Sequence, residues 1–164
     1  MSENKVSGEV ANSASRKGWP RPDSDEILIA TVGGIGEIGM NMTLYGHDGK
    51  WLMVDAGVSF ISPEEKEATG RSSKSVSFNT IRHIADDIVG VVITHAHEDH
   101  IGGLQDLWPD YLKCPIFATQ FTADVLNAKG DVNADIRTFE LGEDINDEDL
   151  GPFKVSAIEM THSV

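Results

Sequence analysis

The sequence predicts one mixed α/β domain: a largely buried sheet with helices on its outside. Three observations carry this. Early strand-like segments are joined by a hairpin signal, strands and helices alternate after about residue 77, and "IVGVVIT" at 88–94 is a continuous apolar run suited to a strand buried on both faces. A chain of 164 residues with 40% hydrophobic side chains can bury one real core.

Taken in order, residues 1–24 are polar and end in Trp19-Pro20-Arg21-Pro22, which reads as a flexible tail before a folded part that starts near residue 25. Strands are expected near 27–32, 41–46 and 51–55. His47-Asp48-Gly49-Lys50 lies between the last two, and an Asp-Gly pair flanked by apolar runs is a strong hairpin signal. The polar stretch "SPEEKEATGRSSKS" reads as a connection. Ile81, Ile84, Ala85 and Ile88 recur at helical spacing and predict a helix over much of 77–87. After the buried strand come a helix at about 101–112, a strand at 115–118, a helix at 120–129 and a strand near 135–140. The acidic turn "GEDINDEDLG" lacks the residue order of a calcium loop, and two strands are expected near 152–162.

The stretch "GGIGEIG", Gly33 to Gly39, contains G-x-G-x-x-G, and Asp55 follows at about the ~20-residue offset of a dinucleotide site. That site needs the last glycine to open a helix. Here "MNMTLYGHDG" opens a strand instead, so the pattern stands in the wrong context.

A formal net charge of −14 argues against a broad phosphate-gripping basic surface and fits a solvated acidic exterior. The single cysteine, Cys114, cannot close an internal disulfide and reads as a small buried apolar side chain. The opening residues lack a secretory apolar core, and no segment is long enough to span a bilayer. A cytoplasmic protein without membrane attachment is the expectation.

The chemistry concentrates in "VVITHAHEDHIGG". Of six histidines, His95, His97 and His100 fall within six positions beside Asp99. Residues two apart on an extended segment face the same way, so His95 and His97 can share one cation, while Asp99 and His100 can face a second. His162, in "IEMTHSV", offers a further ligand, and Asp55, ending "WLMVDAG", can hold a ligating imidazole. Imidazole and carboxylate without thiolate suit a hydrolytic zinc site with an open position, not a closed structural one. These ligand types also accept manganese. His47 and His83 read as surface histidines.

"THAHEDHIGG", with "VDAG" before it and "THS" after it, resembles the metallo-β-lactamase superfamily. "GGIGEIGMNM" and "LWPDYLKCPIFAT" are similar to the ribonuclease J family in its β-CASP branch. The resemblance implies an αββα sandwich and, in a full-length member, two Zn2+ ions, with Mn2+ as the alternative. It implies His95, His97 and His162 on one metal, Asp99 and His100 on the other, Asp99 also supporting the attacking hydroxide, and Asp55 as a carboxylate behind the ligands. The glycine loop then resembles a turn near the metal cleft. The implied activity is hydrolysis of RNA phosphodiesters, 5′-to-3′ exonucleolytic and endonucleolytic, in RNA processing and decay. RNA is the implied partner, with homo-oligomerisation and an RNA-decay complex for the full-length protein. On the family pattern, residues 25–164 are the first part of the domain, cut before the β-CASP insert, and this piece alone is expected to be inactive. Two rival readings share the residues: a metallo-β-lactamase-type hydrolase of thioesters, lactones or lactams, and a non-catalytic binding module on the same scaffold.

Overall fold

In the computed structural model, which describes residues 18–108 and 110–162, the early apolar segments become three antiparallel strands. They are β1 (Leu28–Gly33), β2 (Met42–His47) and β3 (Lys50–Val54), paired in sequence order. Asp48 and Gly49 turn β2 into β3 with φ of 46° and 72°, the doubly positive conformation that a two-residue hairpin of the right twist requires.

A short antiparallel pair follows, β4 (Val58–Phe60) with β5 (Ser73–Ser75), and between its strands lies a helix, α1 (Pro63–Thr69), where the polar stretch reads as a connection. Its signals are local. Ser62 and Glu65 form a reciprocal capping box, Pro63 fills the first turn, and Gly70 ends the helix at φ 70°. No residue of α1 is buried, so caps rather than packing hold it.

The helix expected over 77–87 is only α2 (Phe78–Ile81), followed by a 3-10 turn at Ala85–Asp87. The chain bends there so that both Ile81 and Ile84 enter the core. The apolar run becomes β6 (Ile88–Val92), parallel to β3. The next helix, α3 (Glu98–Ile101), starts three residues earlier than the spacing suggests and stops at Gly102. A Cβ at Gly102 would lie 2.7 Å from the Glu98 carbonyl oxygen, and one at Gly103 would lie 2.9 Å from that of Gly57. Strand β7 (Ile116–Ala118), helix α4 (Gln120–Lys129) and strand β8 (Ile136–Thr138) match their predicted positions closely. The acidic turn contains β9 (Asp144–Ile145), paired with β10 (Val155–Ser156), and the rest of 152–162 is irregular.

The main sheet runs β1-β2-β3-β6-β7-β8, antiparallel at the front and parallel from β3 onward. Alternation sorts its side chains. Trp51, Met53, Val91, Ile93, Ile116 and Ala118 face the larger core with Ile81, Leu104, Leu107 and Leu126 from the helical side. Leu52, Val92 and Phe117 face the opposite way, under Ile145 and Leu150. The central strands are apolar throughout because both faces are covered. Residues 1–17 of the expected tail lie outside the described residues. Trp19 and Pro22, within the rest of it, are packed: the Trp19 indole donates to the Thr80 carbonyl at 2.6 Å and meets the Trp51 ring edge-on at 5.3 Å, and Pro22 is buried. No helix among the described residues is long and apolar enough to cross a membrane.

Candidate metal centre

Two neighbouring parallel strands deliver the chemistry to one end of the sheet. β3 stops at Val54, and Asp55 follows at φ 61°, a left-handed conformation costing a non-glycine residue on the order of 1–3 kcal/mol. Its N–H donates to the Val92 carbonyl at 3.0 Å, which fixes it beside the end of β6. Ile93 N–H donates to Phe117 O at 2.8 Å, and the chain then leaves the sheet through Thr94, His95 and His97. His97 heads α3, its carbonyl accepting from His100 and Ile101.

Asp55 is only 5% exposed and anchors a network. Its carboxylate accepts from Thr94 N–H at 2.9 Å, from the Thr94 hydroxyl at 2.9 and 3.0 Å, and pairs with His100 Nδ1 at 2.7 Å. Thr94 Oγ1 also lies 3.0 Å from His95 Nδ1. Since the hydroxyl proton goes to Asp55, His95 donates its Nδ1–H to Thr94, and its Nε2 lone pair is left facing outward. One carboxylate thus orients two imidazoles, one directly and one through threonine.

His95 Nε2 lies 3.0 Å from His97 Nδ1 and 3.1 Å from His162 Nε2, and one ligand atom from each of the three lies within 4.8 Å of the others. Nitrogens bound to a tetrahedral zinc ion at about 2.0–2.1 Å would stand about 3.3 Å apart, so the spacing and the all-imidazole donor set fit such an ion. Burial, then the neighbouring His100, His97 and His162, hold the His95 imidazole below its ordinary pKa, which keeps it neutral and able to ligate. This is the only group of three potential ligands that converges among the described residues.

Asp99 and His100 lie alongside but are engaged differently. His100 Nε2 is 3.5 Å from Asp99 Oδ2, and Asn41 Nδ2 stands 3.2 Å from the first and 3.1 Å from the second. Burial alone would lower the His100 pKa, but the hydrogen bond to Asp55 and the charges of Asp55 and Asp99 together raise it. Sequence reasoning singled out neither Asn41 nor Thr94. Thr94 is legible only as the polar residue ending an apolar run, and Asn41 only as the second residue after the glycine loop. His47 contacts the Glu26 carbonyl at 2.8 Å at the opposite end of the sheet, and His83 accepts from the Arg82 guanidinium at 3.2 Å. A cleft of about 580 Å³ opens beside the cluster, with Phe121, Leu141, Ile158 and Met160 on its walls.

The family model described as the metallo-beta-lactamase superfamily matches residues 35–162. The chain is 38% identical over 152 residues to ribonuclease J of Sinorhizobium meliloti, covering 85% of this chain and 25% of that protein. It is 34% identical over 146 residues to ribonuclease J of Corynebacterium glutamicum, covering 88% and 20%. It therefore spans a quarter or less of the length of these curated relatives. Two solved structures share the fold: YhfI from Bacillus subtilis, described as a metallo-beta-lactamase fold protein, at TM-score 0.53 and 17% identity over 85% of this chain and 55% of that one, and the Rm3 metallo-beta-lactamase at 0.51 and 21% over 79% and 48%.

Proposed function

This chain belongs to the metallo-beta-lactamase superfamily, and from that membership we propose that it supplies the metal-binding part of a metal-dependent ribonuclease that hydrolyses RNA phosphodiesters. The observation that carries this reading is the convergence of His162, from an irregular segment, with His95 and His97 beyond the end of β6, in a chain 33–38% identical over most of its length to several ribonucleases J. Both exonucleolytic and endonucleolytic cleavage belong to the proposal.

His95, His97 and His162 would hold one Zn2+ or Mn2+, and Asp99 with His100 would face a second. A divalent cation there supplies Lewis acidity toward a phosphodiester oxygen and makes a water molecule a far stronger acid. The chain's own contribution is orientation. Asp55 fixes the His100 ring directly and the His95 ring through Thr94, and the His95 Nε2 lone pair is thereby turned toward His97 and His162 on the cleft wall. Phe121, exposed on the cleft wall, offers an aromatic face on which a base can stack, a contact that needs no basic surface.

The test joins metal analysis to a cleavage assay. The 164-residue chain is expected to bind one equivalent of Zn2+ by plasma mass spectrometry, and His97→Ala to lose it. A 5′-monophosphorylated RNA is then offered to the metal-loaded chain and to any longer product of its gene. Cleavage by a longer product, abolished by His97→Ala, is expected. The chain by itself should not digest RNA processively, because only one three-ligand group converges among its described residues. Hydrolysis of a thioester or lactam with RNA untouched would replace the ribonuclease reading with the other hydrolase class, and metal content equal to that of His97→Ala would remove the metal mechanism.

A further inference from the structure

We propose that a second cleft, a groove of about 890 Å³ between β5, α2 and the 3-10 turn at Leu104–Asp106, binds a short stretch of single-stranded RNA, with phosphates on Arg71 and Arg82 and a base on the Phe78–Tyr111 ring pair. The choice of RNA as ligand rests on the ribonuclease reading; the site rests on the groove.

Charge singles the groove out. Acidic side chains outnumber lysine and arginine 27 to 13 in this chain. Lys50, Lys74, Lys129, Arg137 and Lys154 are each paired with a carboxylate. Arg71 and Arg82 have no carboxylate partner among the described residues, and both line this groove. Arg82 spends only its Nε–H, on His83 at 3.2 Å, which leaves its terminal NH2 groups to other acceptors. Asp106 is the one acidic side chain on the walls among the described residues, and it already accepts from the Ser75 hydroxyl. Ser77 stands at the start of α2 without capping it, so its hydroxyl is a further donor facing the groove. Two guanidinium forks and neutral hydroxyls suit phosphate oxygens, which only accept. The acidic exterior elsewhere repels a polyanion and confines it here.

The aromatic pair supplies what phosphate contacts lack. The Phe78 and Tyr111 rings are stacked, with centroids 4.0 Å apart and planes 18° from parallel. Tyr111 is 47% exposed, so the stack presents a ring to the groove on which a base can continue it. Ordinary ligand pockets hold about 300–1,000 Å³, so this one admits a nucleotide or two of a single strand and excludes a duplex. It also adjoins the metal centre. Val58, on the groove wall, follows Gly57, which lies against the Asp99 carbonyl. RNA anchored in the groove is therefore held within one strand of the candidate ligands.

The experiment titrates fluorescein-labelled hexauridylate into the full 164-residue chain by fluorescence anisotropy, in EDTA, so that neither cleavage nor a cation at the histidines enters the reading. Arg71, Arg82 and Tyr111 are exposed, so their substitutions leave the core intact. Two phosphate contacts predict a slope of about −1.4 in log K against log salt, made shallower by about 0.7 in each of Arg71→Gln and Arg82→Gln. Arg82→Lys keeps the charge and should keep the slope. Tyr111→Leu is expected to weaken binding about 5- to 100-fold, the usual worth of one base–aromatic stack, with the slope unchanged, and Tyr111→Phe to bind like the wild type. Equal affinity and slope in the wild type and the Arg71→Gln, Arg82→Gln double variant would overturn the proposal. So would the absence of saturable wild-type binding below about 1 mM RNA at about 50 mM salt. Uridine 5′-monophosphate binding as tightly as the hexanucleotide would overturn RNA in favour of a free nucleotide. Zinc content reads the other proposal separately. The double variant is expected to keep its zinc, whereas Arg-dependent RNA binding by a wild type that holds none would overturn the metal mechanism and still support the groove.

Discussion

Gly57 has no room for a side chain: a Cβ there would lie 1.6 Å from the Asp99 carbonyl oxygen. Gly57→Ala must therefore push β4 and α3 apart, and it is expected to cost about 2–3 kcal/mol in urea unfolding, the upper range for overpacking. A loss under about 0.5 kcal/mol would show that the contact relaxes freely. Asp55→Asn is expected to weaken metal affinity by about 10- to 100-fold, because the new NH2 group faces the Thr94 and His100 donors that the carboxylate now satisfies. An unchanged titration would remove Asp55 from the centre. Cys114 belongs to the core, not the site. Burial pushes its thiol up to about 12, so it should label slowly with a disulfide reagent at pH 8 in the native chain and rapidly in guanidinium.

Among the elements, α1 and the β8–β9 segment differ in what holds them. Ser62→Ala removes the capping box of α1, a loss of about 1 kcal/mol to that helix. Because α1 buries nothing, the effect should appear as faster amide exchange within Pro63–Thr69 and leave the global melting temperature nearly unchanged. β8 is tied to the acidic turn through Arg137, whose guanidinium meets Asp135, Asp147 and Asp149, each at 2.7 Å. Its hydrogen bond to Asp147 holds that carboxyl below the usual range. The folded segment thus gains stability above the ordinary carboxylate pKa of about 3.9 and loses it as pH falls through that value and below. Amide protection in β9 and Glu148–Leu150 should drop over that interval in the wild type and be low at both ends of it in Arg137→Ala. The groups are exposed, so added salt should blunt the difference.

For the whole molecule, the larger core is covered by helices, while among the described residues the opposite face of the sheet is covered by β9, β10 and the segments beside them, through Phe139, Ile145, Leu150 and Phe153. Phe121, Leu141, Ile158 and Met160 stand exposed around the cleft, and Ile27 and Ile29 along the β1 edge. An apolar surface with an open strand edge favours association. Concentration-dependent oligomers are therefore expected by light scattering or sedimentation, and a strict monomer at ~100 μM would show that these groups are individually harmless. A saturating cation that binds only the folded chain should raise the melting temperature, by about 2.7 kcal/mol of stability at one hundred times its dissociation constant. His97→Ala should abolish that rise.

What the sequence determined by itself is whatever short-range periodicity and turn chemistry encode: the Asp48-Gly49 hairpin, the strand at 88–92 buried on both faces, and the dense His95, His97, Asp99, His100 run that marks the family. The capping box of α1 was equally local, yet its polar composition hid a helix that buries no residue. The family resemblance already grouped His162 with His95 and put Asp55 behind the ligands; the tertiary structure gave the contacts themselves, His162 to His95 across 67 positions and Asp55 to His100 across 45, and it alone brought Asn41 to Asp99 across 58. Local pattern cannot specify such pairs, because they exist only when adjacent parallel strands end at one edge of the sheet and the loops leaving them close on one another. That is why an apparent nucleotide fingerprint could be rejected from the residues that follow it, while the contacts of the Asn41 amide became visible only in the fold.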